Sequence, residues 1–219
     1  MRLARLFAPD TPTLVGVRFP GSITSVPYAD MFGWLGMYCA KEGLPTHGWC
    51  VTPQGLLLLC TPPSVAAMSR VIQSVGRHFA AVTEQSTVFV GRYKTALIEP
   101  NAWVLPTLVW LELAPVRLNL VHRAEDWRWS SAQQHTGVAG RSTPWVIDHP
   151  DYWACGNTPF DRQARYRTKL TDGVSAQASE QIEAALHGQW ALGSEVFLQT
   201  MNQLASRRAC PAKRGRPFK

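Results

Sequence analysis

Residues Thr46 to Cys60, with the sequence THGWCVTPQGLLLLC, decide the fold class of this chain. Two mostly apolar segments, 46–51 and 56–60, are each long enough for a β-strand. The residues between them, Thr52-Pro53-Gln54-Gly55, place proline second and glycine fourth, as a tight turn favours. We therefore predict a β-hairpin here.

The segments on both sides of this hairpin carry the periodicity of helices and strands in a regular order. Apolar residues at helical spacing predict helices over 28–43 and 64–85, and further strands are predicted over 13–19 and 93–98. A third helix is predicted over 105–118, ended by Asn119 in the left-handed conformation. This order of elements predicts an α+β fold, an antiparallel sheet with helices packed on it.

The second part of the chain is less regular. After about Trp129 the pattern becomes aromatic and contains proline, and two short helices are then predicted over 175–187 and 194–208. We divide the chain into an α+β domain at 1–135, an irregular connector at 136–173, a helical extension at 174–208 and a basic tail at 209–219.

Composition excludes several classes of protein. The 219 residues contain no run of about 18 apolar residues, and the start of the chain lacks the apolar segment of a signal peptide. The five cysteines are scattered and form no CxxC pair, which argues against a disulfide framework or a structural zinc site. We expect a cytoplasmic protein without metal.

The net charge of +7 is concentrated at the end of the chain. Residues 206–219 contain six of the 22 basic residues and no acid, which leaves 16 basic against 15 acidic residues elsewhere. Such a tail is typical of nucleic-acid binding or of a solubilising terminus. Its last residues resemble an AT-hook, in which an extended Arg-Gly-Arg lies in the minor groove of A·T-rich DNA, although contact with phosphates alone is the alternative. The predicted DNA-binding residues of the tail are Lys213, Arg214, Gly215, Arg216, Pro217 and Lys219.

Four further segments share an order and spacing with a known family. These are 68–79 (MSRVIQSVGRHF), 91–98 (GRYKTALI), 115–121 (PVRLNLV) and 126–131 (DWRWSS). Together they resemble the REP-associated tyrosine transposases of the HUH superfamily. The resemblance implies a ferredoxin-like fold and a structured single-stranded or hairpin DNA as partner. It also implies that the body residues Arg70, Arg77, Arg92, Lys94 and Arg117 contact DNA, although each could be an ordinary surface charge.

The chemistry of that family requires residues that this chain lacks. The resemblance implies a His-x-His pair on a strand, which holds Mg²⁺ or Mn²⁺, and a tyrosine that attacks a DNA phosphate. The matching positions here are Gly55, Leu57 and Trp110. Glycine and leucine offer no metal ligand, and indole has no hydroxyl that could form a phosphodiester. We therefore predict no catalytic residue and no metal cofactor, with Trp110 filling the vacated pocket or stacking on a base.

The sequence predicts a DNA-binding, regulatory protein without catalytic activity, associated with the nucleoid. An active transposase or nuclease with a displaced site is the first alternative, with His47, His78 and Tyr93 as candidate replacements and Glu112 as a surviving acid. A protein-interaction module with an incidental tail is the second, and a decayed copy without function is the third.

Overall fold

A computed structural model describes residues 4–21, 23, 25–138 and 143–211. The strands are β1 Thr13–Arg18, β2 Thr46–Thr52, β3 Gly55–Cys60, β4 Lys94–Ile98 and β5 Ala191–Leu192. The first helices are α1 Tyr28–Lys41, α2 Val65–Thr83, α3 Val104–Glu112, α4 Ala114–Arg117 and α5 Ala132–Thr136, with a 3₁₀ turn at Ala124–Asp126. They are followed by α6 Pro150–Trp153, α7 Pro159–Asp172, α8 Ala176–Gly188 and α9 Glu195–Leu204.

The five strands form one sheet in the order β2-β3-β1-β4-β5. The first four are antiparallel to their neighbours, and the short β5 adds to β4 in parallel. The predicted hairpin is present, since Thr52 pairs with Gly55 across a two-residue turn. The predicted α+β class is confirmed, and the β-α-β-β-α-β order of the first four strands is ferredoxin-like.

Alternate residues of each strand enter two different cores, because successive side chains point to opposite faces of a sheet. In β3, Leu56 and Leu58 pack with α1 and α2 on the first face, whereas Leu57 and Leu59 face α3, α7 and α8 on the second. Helices therefore cover both sides of the sheet, and a run of four leucines serves both cores.

Local signals explain where the helices begin and end. The Ser64 hydroxyl accepts from the Ala67 amide to start α2, and Asn119 has a φ of 55°, the left-handed conformation that was predicted. The helix predicted over 105–118 is instead two helices separated at Leu113. Pro115 explains the interruption, because it has no amide hydrogen for the helical ladder.

The prediction that residues 136–173 are irregular is wrong for much of their length. Helix α7 occupies 14 of these residues, started by Thr158, whose hydroxyl accepts from the Asp161 amide. The division of the chain into domains stays a prediction.

The end of the described chain returns to its beginning. Helix α9 stops at Leu204 rather than at the predicted Arg208. Arg207 then donates to the carbonyl of Ala4 at 2.8 Å, and the carbonyl of the fully buried Ala209 accepts from the Ala191 amide. Residues 212–219, which hold the predicted AT-hook-like contacts, lie outside the described residues. Among the described helices, none has the length and apolar character needed to span a membrane.

Candidate nucleic-acid interface

A cleft of about 930 Å³ opens where β1, the β2–β3 turn, α4 and α8 meet. Its described lining contains four basic residues and one acidic residue, in addition to His187. The charged residues are Arg18, Arg92, Lys94, Arg117 and Glu183. The cleft is therefore positively charged within a chain whose described body is nearly neutral.

The three positions that the family resemblance matches to catalytic residues, Gly55, Leu57 and Trp110, all line this cleft. Gly55 and Leu57 lie two residues apart in β3, so they point to the same face of the sheet, as the strand geometry predicts. Neither side chain can coordinate a metal. Nor do the described residues contain any group of three or more His, Cys, Asp or Glu side chains that could hold one. The residues at this site do not fit the divalent ion that the family resemblance implies.

Gly55 also lies in a position that excludes any side chain. A Cβ atom added there would come within 2.0 Å of the Val17 carbonyl oxygen, which belongs to the backbone of the neighbouring strand. A histidine at this position would require the backbone to move.

Trp110 forms a closed wall of the cleft rather than an open stacking surface. Only 4% of its surface is exposed, and its indole nitrogen donates to Ser179 Oγ at 3.1 Å. The Arg117 guanidinium lies over the indole ring, 4.4 Å from its centroid, and donates to the Trp110 carbonyl at 2.5 Å. The prediction that Trp110 fills the vacated pocket agrees with this packing.

Helix α8 packs beside Trp110 and lines the cleft with Glu183, Leu186 and His187. Ser179 binds Trp110, and Lys94 Nζ lies 3.2 Å from His187 Nδ1. Glu183 lies between Ser179 and His187 along the helix and lines the same cleft as Arg117. Burial lowers the pKa of the Arg117 guanidinium, and the nearby Glu183 carboxylate opposes that change. The contribution of α8 to the cleft was not predicted. The only sequence feature that points to it is the four-residue spacing of Ser179, Glu183 and His187, which places them on one face of a helix.

The structure divides the predicted DNA-binding residues of the body into two groups. Arg92, Lys94 and Arg117 line the cleft. Arg70 and Arg77 lie on α2, which packs on the first face of the sheet and contributes nothing to the lining of the cleft. Arg70 pairs with Glu42 at 2.6 Å, and Arg77 donates to the Ser74 hydroxyl at 2.9 Å.

The candidate residues for a displaced active site lie apart from the cleft. The His47 ring is bound on both nitrogens, by the Ile147 carbonyl and by Thr61 Oγ1, and burial lowers its pKa to about 4. The Tyr93 hydroxyl bonds to Ser69 of α2, and burial raises the pKa of Tyr93. His78 bonds to Tyr38 of α1.

Glu112, the surviving acid of α3, is fully buried within the second core. Its carboxylate accepts hydrogen bonds from Ser131 Oγ, His135 Nδ1 and the Tyr166 hydroxyl, at 2.5, 2.6 and 2.8 Å. A carboxylate held by three donors joins α3 to the segments that follow it, which is a structural role.

The fold defines an α+β protein with a ferredoxin-like sheet and a basic cleft at one end. No known family model matches the sequence, and no curated protein matches it. The chain is similar to a solved structure described as a REP-associated tyrosine transposase bound to a REP hairpin, with a TM-score of 0.52 and 15% identity. The similarity covers 68% of this chain and 93% of that one. At this identity it establishes the shared fold alone.

Proposed function

We propose that this protein binds structured DNA through the cleft and does not cleave it. The observation that carries the proposal is the composition of the cleft, with four cations against one acid. These cations surround the positions where the family resemblance implies metal ligands and a nucleophile. Those positions hold Gly55, Leu57 and Trp110.

The charge and size of the cleft favour part of a DNA strand as its occupant. Basic side chains bind phosphates and release counterions, which supplies sequence-independent affinity. A cleft of about 930 Å³ accommodates a ligand of a few hundred cubic ångströms, such as unpaired nucleotides beside a duplex stem. The similar transposase structure is described as bound to a REP hairpin.

The side chains that line the cleft support the proposed absence of cleavage. Cleavage by the family's route needs a hydroxyl nucleophile and a metal-polarised phosphate. Trp110 has no hydroxyl, and the i, i+2 pair of Gly55 and Leu57 has no donor atom. Tyr93, the candidate replacement, faces the other side of the sheet.

The tail adds a second proposed contact. Lys213, Arg214, Arg216 and Lys219 would contact a neighbouring A·T-rich duplex, with Gly215 and Pro217 allowing the extended backbone to approach the minor groove. The cleft would then hold unpaired nucleotides while the tail engages duplex, and the protein would act as a DNA-binding regulator.

Two double variants with the same change in charge test the role of the cleft. Fluorescence anisotropy would measure binding of a labelled hairpin with an unpaired 5′ flank across a range of salt concentrations. We expect Arg92→Ala/Lys94→Ala to weaken binding and to reduce the slope of log K against log [salt] by about 2.

The control is Arg70→Ala/Arg77→Ala, which removes the same charge from α2 on the other face. It should leave the affinity within about threefold of the parent protein. Equal losses in both variants, or no loss in the cleft variant, would contradict the proposed interface.

A further inference from the structure

Helix α1 contains a glycine, Gly33, that nothing in the described part of its own chain explains. Gly33 lies in the interior of the helix and is exposed, and a Cβ atom added there would meet nothing within 4 Å. Glycine at such a position destabilises a helix relative to alanine. Gly36 differs, because a Cβ atom there would come within 2.6 Å of the Trp145 ring. Gly33 therefore leaves room for a neighbour outside the described fold.

Gly33 belongs to a row of residues along the outer side of α1. Asp30, Gly33, Met37 and Lys41 follow one another at intervals of three or four residues, so they lie along one side of the helix, and all four are exposed. Half of the Met37 surface is exposed, although methionine is one of the residues most often buried. The outer row thus has a notch at Gly33 beside a projecting side chain at Met37, between two opposite charges.

The charges at the two ends of the outer row have no partner in the part of the chain that the structure describes. Asp30 lies in the first turn of α1 and Lys41 in the last turn. No described residue forms a hydrogen bond or a salt bridge with either side chain. The helix dipole accounts for the sign of each charge, but it does not account for their alignment with Gly33 and Met37.

We propose that the outer row of α1 binds a second copy of this chain, with the two α1 helices antiparallel about a two-fold axis. In this arrangement Met37 of each copy lies over Gly33 of the other copy. The same axis brings Asp30 of each copy beside Lys41 of the other, whereas parallel helices would place equal charges together. A two-fold contact needs a surface that is complementary to itself, and the outer row has this property.

This contact goes beyond the proposed DNA binding and does not depend on it. Among the described residues that line the cleft, none belongs to α1. A helix of 14 residues is about 21 Å long, so one pair of helices buries less than the roughly 1,200–2,000 Å² of a standard interface. We therefore expect weak association, with a dissociation constant on the order of 10–100 µM.

The test is sedimentation velocity of the full chain at concentrations from about 1 to about 300 µM. The parent protein should change from monomer to dimer over this range. Asp30→Lys and Lys41→Glu each place like charges together at both ends of the contact, and each should weaken self-association at least about tenfold. An equimolar mixture of these two variants should associate about as well as the parent protein, because opposite charges then meet at both ends.

Two further variants separate the contact from the fold. Gly33→Gln fills the notch and should weaken association at least about tenfold. In dilute protein its free energy of unfolding should be unchanged or higher, because glutamine favours a helix more than glycine does. The control is Glu195→Lys, which reverses an exposed acid in the first turn of α9 and should associate as the parent protein does.

Three results would overturn the proposed dimer. The first is a parent protein that stays monomeric at every concentration. The second is a mixture of the two charge variants that associates no better than either variant alone, which would show that Asp30 and Lys41 do not meet across the contact. The third is a Gly33→Gln variant that associates as tightly as the parent, or a control that loses association equally. None of these results bears on DNA binding, which the variants of the cleft test separately.

Discussion

At Gly55 the backbone of the neighbouring strand leaves no room for a side chain. Because a Cβ atom there would meet the Val17 carbonyl oxygen, Gly55→Ala should lower the free energy of unfolding by about 1–3 kcal/mol. Urea denaturation followed by circular dichroism measures this directly.

Gly33→Ala is the matched control, since Gly33 is exposed in α1 and an added Cβ there meets nothing within 4 Å. It should be neutral or raise the free energy of unfolding by up to about 1 kcal/mol. A neutral Gly55→Ala would show that the strand accepts side chains at this position.

His47 makes stability depend on pH in the acid range. Its pKa is lowered from 6.5 to about 4 by burial, so between these values the unfolded chain binds a proton that the folded protein does not. The free energy of unfolding should therefore fall by about 3 kcal/mol as the pH drops from 6.5 to 4.

In His47→Gln that dependence should be much weaker when denaturation is repeated at each pH. Some dependence should remain from His149, whose pKa is also lowered by burial. A variant with the full dependence of the parent protein would show that His47 does not cause it.

At this scale, side-chain chemistry alone supports the prediction that Gly55, Leu57 and Trp110 supply neither a metal ligand nor a hydroxyl nucleophile, and this stays a prediction. The position of Arg117 and Glu183 in one cleft could not be predicted from the sequence. The two residues are 66 positions apart, and only the packing of α8 on the sheet brings them together. The burial of Glu112 and its hydrogen bonds could not be predicted either, because its partners are distant in the sequence.

Among the elements, helix α7 could not be predicted from apolar periodicity. Only Tyr166 and Leu170 of its residues are buried, so its apolar face is too narrow to produce a clear pattern. The sequence nevertheless contains signals for both ends of this helix. Thr158 and Pro159 are a typical N-cap and first helical residue, and Gly173 follows the last helical residue. Capping signals would have found this helix where periodicity failed.

Helix α7 is joined to α3 through a buried hydrogen bond. The pKa of Tyr166 is raised by burial and by Glu112, so its hydroxyl stays protonated and donates to the carboxylate. Tyr166→Phe leaves the buried Glu112 side chain with one hydrogen bond fewer and should lower the free energy of unfolding by about 1–3 kcal/mol.

Tyr38→Phe, which removes a solvent-exposed bond to His78, should cost no more than about 0.5 kcal/mol in the same denaturation experiment. If the two variants are equally stable, the Glu112 cluster does not hold α7 against α3.

For the molecule as a whole, the order of strands and helices around the 46–60 hairpin was enough to predict the antiparallel part of the sheet. The parallel strand β5 could not be predicted, because two residues carry no periodicity. The return of residues 205–211 along the start of the chain was also missed. Its contacts join residues about 200 positions apart, beyond any local pattern.

Two truncations separate the tail from the fold. Removing 212–219 should reduce the salt slope of duplex binding by about 3–4, since four cations are lost. Removing 207–219 also deletes the Arg207 bonds and the buried Ala209, and should destabilise the protein by about 2–3 kcal/mol. Unchanged DNA affinity after the shorter truncation would remove the tail from the proposed interface.

The most direct test of the central claim is one incubation analysed on two gels. The full chain is mixed with an end-labelled hairpin that has an unpaired flank, with Mg²⁺, with Mn²⁺ or with EDTA. We expect a shifted band of equal intensity in all three samples on the native gel. The denaturing gel should then show intact DNA without a covalent adduct. A nicked strand or a protein–DNA adduct that depends on metal would contradict the account, because it would require a metal site and a nucleophile where we propose that there are none.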